Sequence, residues 1–128
     1  FLKNLKLASD EMVIVDTEAG LEHFGRGVEE GTDAVLMVLD PSYESVLLAK
    51  KAAEMTASMK LPMYFVLNKV TPEIASQMKK ELPVEKIIGE IPLDQDILAA
   101  GLSGKTLSGF SSAIEPVVQN IVSVTMNS

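Results

Sequence analysis

The sequence predicts an α/β fold, a parallel sheet flanked by helices, in one domain spanning residues 1–128. Three observations predict it. Short continuous apolar runs recur at Met12–Val15, Ala34–Leu39, Met63–Leu67 and Ile87–Ile91. Met12–Val15 is too short for a helix and rich in β-branched residues, as in a strand buried on both faces, and the other runs repeat its grammar. Segments with helical start signals lie between them, and strands that alternate with helices pair in parallel through right-handed crossovers. Finally, each run ends in residues that stop a strand and face solvent: Asp16, Asp40, Asn68-Lys69 and Pro92.

Taken in order, residues 1–9 place Leu2, Leu5 and Leu7 opposite Lys3 and Lys6, the pattern of the last turns of an amphipathic helix. Met12–Val15 is the first strand, with Asp16 at its carboxyl end, and Ala34–Leu39 the second. Asp40-Pro41-Ser42 supplies a capping side chain and a proline before a helix over 43–59. Met63–Leu67 is the third strand, and Thr71-Pro72-Glu73 opens a helix over 73–81 in the same way. Ile87–Ile91 is the fourth strand. Asp94 to Ala100 reads as a short helix stopped near Gly101 and Gly104. Residues 108–128 hold a terminal helix, its pattern running over 110–126 with Phe110, Ile114, Val117, Val118, Ile121 and Val122. Pro116 inside that pattern predicts a kink, or a helix that begins nearer Glu115.

Composition narrows the function. The 128 residues are 47% hydrophobic, with 18 acidic against 11 basic side chains and a formal net charge of -7. An apolar fraction of that size forms a core and excludes disorder for most of the chain. Lys50-Lys51 and Lys79-Lys80 are isolated pairs on predicted helices, so no basic stripe exists to neutralise a row of phosphates, and nucleic acid is excluded as a partner. No apolar run reaches the ~18 to 20 residues of a membrane span, and no signal-peptide core is present, which predicts a cytoplasmic chain. There is no cysteine and one histidine, so any metal would be held by oxygen ligands. The seven methionines read as adaptable core filling.

In parallel α/β sheets ligands gather outside the carboxyl ends of the strands. Asp16-Thr17-Glu18-Ala19-Gly20 has the order of a Walker B and switch element: a carboxylate for Mg²⁺ or its water, then a glycine that lets a backbone N–H approach a γ-phosphate. The same residues also suit a helix cap at Asp16 and a turn at Gly20. Asn68 offers a donor and an acceptor, as reading a purine edge requires, and the Lys69 stem can lie across a base with its ammonium in water. A loop with a left-handed Asn68 and a surface Lys69 would show the same letters. Pro92-Leu93 can offer backbone groups to a purine ring, or serve as a rigid strand exit before an Asp94 cap.

Taken together, VIVDTEAGLEHFGRG, AVLMVLDPSYESV, FVLNKV and IIGEIPLDQDI resemble the MinD- and NifH-like P-loop ATPases of the SIMIBI class, and most closely the CooC group, ATPases that support nickel insertion into carbon monoxide dehydrogenase. The resemblance runs from about Phe1 to Leu107. It implies a partial P-loop NTPase fold that lacks the P-loop strand, since no GKGGxGK-like loop is present, and it corresponds to the C-terminal half of such a protein. It implies ATP or ADP and Mg²⁺ as cofactors, with Asp16 near Mg²⁺, Ala19-Gly20 at the γ-phosphate, Asn68 reading adenine, Lys69 beside the base, and Pro92 and Leu93 closing over it. Glu22 and His23 match switch-helix positions that face a partner subunit. It further implies a homodimer, with nickel-containing carbon monoxide dehydrogenase as the client. The Cys-x-Cys metal motif of the CooC group is absent, so the nickel site is not in this chain.

The chain opens at Phe1 rather than Met, and the expectation is a piece of a longer ATPase. In that family the P-loop strand lies between the strands matching Met12–Val15 and Ala34–Leu39, so its absence leaves unpaired backbone on both neighbours. The piece alone is expected to be marginal or associated, inactive as an ATPase, and weak in nucleotide binding. Two other readings share these residues. One is a receiver-like module with Asp16 or Asp40 as phosphoacceptor and Lys69 near the phosphoryl oxygens. The other is a non-catalytic interaction domain with an ATPase-like fold.

Overall fold

The computed structural model describes residues 4–17, 21, 31–106 and 111–126. Among these, three strands form one parallel sheet in the order β1-β2-β3: β1 Val35–Leu39, β2 Met63–Val70 and β3 Ile87–Pro92. Helices α1 Tyr43–Ser58 and α2 Pro72–Lys79 make the crossovers, and α3 Gln95–Ser103 and α4 Ser111–Met126 follow β3.

The helix starts follow from local chemistry. The Ser42 hydroxyl accepts from the Ser45 N–H at 3.1 Å and Thr71 accepts from the Ile74 N–H at 3.3 Å, ahead of Pro72 at the first turn. Asp94 accepts from the N–H groups of Asp96 and Ile97. Helix α3 passes through Gly101 and ends at Gly104, whose φ of 71° is the left-handed cap that glycine adopts without strain.

The core lies on one face of the sheet. Leu39, Met63, Phe65 and Leu67 pack there against Ala49 and Ala52 of α1 and Ala75 and Met78 of α2. Small residues on the helices bring their backbones close to the large strand side chains. Thr56 is fully buried, and its hydroxyl donates to the Ala52 carbonyl at 2.9 Å, which satisfies it inside the helix. On the other face α4 seats Val117 on Gly89, where any Cβ would lie 2.7 Å from a Val117 methyl. The Asn120 amide donates to the Ile88 carbonyl at 2.6 Å.

Several expectations are corrected. Met12–Val15 is not a strand: residues 11–17 form no ladder, and Val13, Ile14 and Val15 are 47%, 79% and 51% exposed. A short apolar run becomes a strand only where a neighbour offers backbone groups, and among the described residues none pairs with this run. β1 is likewise not buried on both faces: Leu36 and Val38 are 41% and 55% exposed, while α4 packs over β3. Residues 5–8 are not helical; a turn in which the Glu11 N–H donates to the Ala8 carbonyl follows them instead. Strand β2 runs three residues past Leu67. Helix α4 starts at Ser111 rather than near Glu115 and continues through Pro116, its sixth residue. There the missing N–H leaves a single carbonyl of the first turns without a helix partner.

Candidate functional site

Parallel pairing sets Leu39 opposite Leu67, so the residues after them, Asp40 and Asn68, emerge side by side at the carboxyl ends of adjacent strands. The Asn68 side-chain N–H donates to Asp40 Oδ1 at 3.2 Å, and the Lys69 ammonium reaches Asp40 Oδ2 at 3.4 Å. One carboxylate thus holds both residues.

Successive strand residues normally point to opposite faces, so Asn68 and Lys69 should not share a partner. They do because Lys69 has φ 56°, in the left-handed region, at an irregularity in the β2–β3 register between Asn68 and Val70. That conformation costs a residue with a Cβ about 1–2 kcal/mol, and such strain concentrates at functional sites. In the alternative loop reading Asn68 is the left-handed residue; the structure gives that conformation to Lys69. No pattern in the letters identifies it, because lysine has no preference for positive φ.

The cluster does not exist for stability. The Asp40 and Lys69 side chains are half exposed, and an ion pair so exposed contributes only about 0–1 kcal/mol. Its effect is orientation: the amide of half-buried Asn68 and the ammonium of Lys69 are both aimed by Asp40. Beyond them, Val70 pairs with Pro92, and Leu93 follows, 50% exposed, before Asp94 starts α3. The structure therefore brings Asn68, Lys69, Pro92 and Leu93 to one end of the sheet and adds Asp40, which the sequence marked as a strand end without assigning it the role of holding the other two.

Asp16 is exposed in the unladdered segment 11–17, outside the sheet. Ala19, Gly20, Glu22 and His23 lie outside the described residues. The donors at the strand ends fit the edge of a purine base: one amide with both hydrogen-bond polarities, one cationic stem and a proline-led loop. They do not fit a metal. Among the described residues no three His, Cys, Asp or Glu side chains converge as metal ligands. An open groove of about 380 Å³ between β3 and α4, lined by Lys79, Gly89, Glu90, Pro116 and Asn120, contains none of the strand-end residues. No helix among the described residues is long and apolar enough to cross a membrane.

No family model matches the chain. An uncharacterized ATP-binding protein of Methanocaldococcus jannaschii is 44% identical over 119 residues, covering 93% of this chain and 48% of that protein. A second uncharacterized ATP-binding protein of the same organism is 31% identical, over 91% of this chain and 47% of its own length. The carbon monoxide dehydrogenase accessory protein CooC of Rhodospirillum rubrum is 28% identical, over 88% of this chain and 43% of its own. In fold, the chain is similar to a chain of the MinC:MinD cell division protein complex of Aquifex aeolicus, with a TM-score of 0.62 at 19% identity, over 80% of this chain and 48% of that one. The chain spans about half the length of the curated relatives it matches. In sequence the chain is thus similar to part of these ATP-binding proteins and of CooC, and in fold it is a MinD-like α/β polypeptide.

Proposed function

We propose that this chain is the nucleotide-reading, C-terminal half of a CooC-like ATPase, and that its strand-end cluster holds the adenine of ATP or ADP. One observation carries the reading: Asp40, Asn68 and Lys69 converge at the carboxyl ends of adjacent parallel strands, where ligands of such sheets bind. The similarity to ATP-binding proteins and to a carbon monoxide dehydrogenase accessory protein supports it. Asn68 supplies the hydrogen bonds to the base, Lys69 covers it with its stem, and the Pro92-Leu93 loop closes the other side.

The remaining parts of the proposal follow from the resemblance. The longer protein would be a cytoplasmic homodimer that binds MgATP and serves nickel insertion into carbon monoxide dehydrogenase. Asp16 would be the carboxylate nearest Mg²⁺ and Gly20 would meet the γ-phosphate. A lone exposed carboxylate is not by itself a metal site. The 128 residues carry no glycine-lysine phosphate loop, and a base contact without phosphate contacts forgoes most of the binding energy. Calorimetric titration of the chain with MgATP should therefore give an affinity weaker than micromolar, with no turnover. Micromolar binding or hydrolysis would contradict this division of labour.

The Asp40–Lys69 pair also has the composition a phosphoacceptor site needs. Incubation with acetyl phosphate followed by intact-mass measurement distinguishes the two: no added phosphoryl group is expected, and an adduct on Asp40 would favour the signalling reading.

A further inference from the structure

We infer that Asp40 is a positioning residue that fixes which way the Asn68 amide faces, and that it thereby makes the site selective for a 6-aminopurine over a 6-oxopurine; the inference rests on the base-reading proposal above. An ionised carboxylate has no proton to give, so it can only accept. Asn68 must turn its NH₂ toward Asp40, as it does at 3.2 Å, which leaves the amide oxygen and one N–H for a ligand. The second carboxylate oxygen is engaged by Lys69, so Asp40 is held from two sides.

An amide oriented this way accepts from an exocyclic 6-amino group while its remaining N–H meets the adjacent ring nitrogen. A 6-oxo group presents an acceptor in the same place. Accommodating it requires the amide to flip, which brings the Asn68 oxygen against the Asp40 carboxylate and leaves like-polarity groups facing each other. Purine selectivity then resides in a residue that need not touch the base.

The test uses the ¹⁵N-labelled chain with adenosine and inosine, which differ only at the position in question and at the N1 proton that accompanies it. Chemical-shift titration at Asp40, Asn68, Lys69 and Leu93 should show adenosine binding about tenfold more tightly than inosine, as expected for one satisfied against one opposed hydrogen bond. Asp40→Asn keeps the size but can donate as well as accept, so the preference should fall to within roughly twofold, with resonances elsewhere unmoved. Asp40→Glu, an acceptor only, should retain the preference. Equal binding of the two nucleosides to the unmodified chain, or a tenfold preference that survives Asp40→Asn, would overturn the inference while leaving the base site standing. No shift at these residues with either nucleoside would remove the base site itself, and the inference with it.

Discussion

The two margins of the sheet are built differently although both are short apolar strands. On the β3 side, Gly89 receives Val117, Asn120 binds the Ile88 carbonyl, and Lys79 pairs with Glu90, so the edge is tied to α4 and α2. On the β1 side, Leu36 and Val38 face outward, half exposed, and the apolar run at Met12–Val15 forms no ladder. The contrast teaches that apolar continuity in a sequence specifies a tendency to be a strand, whereas the neighbour that makes it one is supplied by another part of the polypeptide. The strand-end cluster sits beside the open margin and is nevertheless well defined, because Asn68 and Lys69 belong to the central strand and both contact Asp40.

The contrast can be broken most strongly at the centre. Phe65 is fully buried and lies opposite Met37, and Phe65→Ala should cost about 3–5 kcal/mol in chemical denaturation. Val38→Ala on the open margin should cost no more than about 0.5 kcal/mol. Similar losses at both positions would mean that β1 is covered in solution. Next in size, Gly89→Ala should destabilise by about 1–3 kcal/mol through overlap with Val117. A Gly89→Ala, Val117→Ala double variant should lose less than the sum of the single changes, and strict additivity would mean that α4 does not seat there.

A smaller effect separates the two left-handed lysines. Lys60, φ 56°, follows the end of α1, where the Leu61 N–H returns to the Thr56 carbonyl at 2.9 Å. Relief of strain should make Lys60→Gly stabilising by up to about 1 kcal/mol. Lys69→Gly gains the same relief but loses the contact with Asp40, so its net change should be smaller. An equal gain at both positions would show that the Asp40 contact contributes nothing. Smallest is the surface pair of Lys50 and Glu81, 2.6 Å apart. The Lys50 hydrogen bond, and then its charge, holds the Glu81 carboxyl below its ordinary value. A depressed acid stabilises the fold above its unfolded pKa, and that contribution is lost as pH falls through the folded value. Lys50→Met should therefore slightly lower stability at neutral pH and leave it unchanged at strongly acid pH, which flattens the acid limb of the profile, as thermal melts across pH would show.

Much of this was legible in the letters. The runs that became β1, β2 and β3 are short and largely apolar, and the caps at Ser42, Thr71 and Asp94 announced their helices. Met12–Val15 has the same grammar and failed, since nothing within four residues tells whether a partner strand exists. At the site, Asn68 and Lys69 were marked by their chemistry and their place after an apolar run. Their convergence on Asp40 was not, because it depends on a positive φ at a lysine and on the register of two strands 28 residues apart at that contact. Both are properties of the assembled sheet. Gly20 and the Glu22-His23 pair lie outside the described residues.

The central claim is that the strand-end cluster holds a purine base. Photolabelling of the chain with 8-azido-ATP captures contacts even when affinity is low, and peptide mapping locates the label. Modification should be confined to the peptides that contain residues 61–70 and 90–95, and excess ATP should reduce it. Labelling elsewhere, or labelling that ATP does not compete, would contradict it.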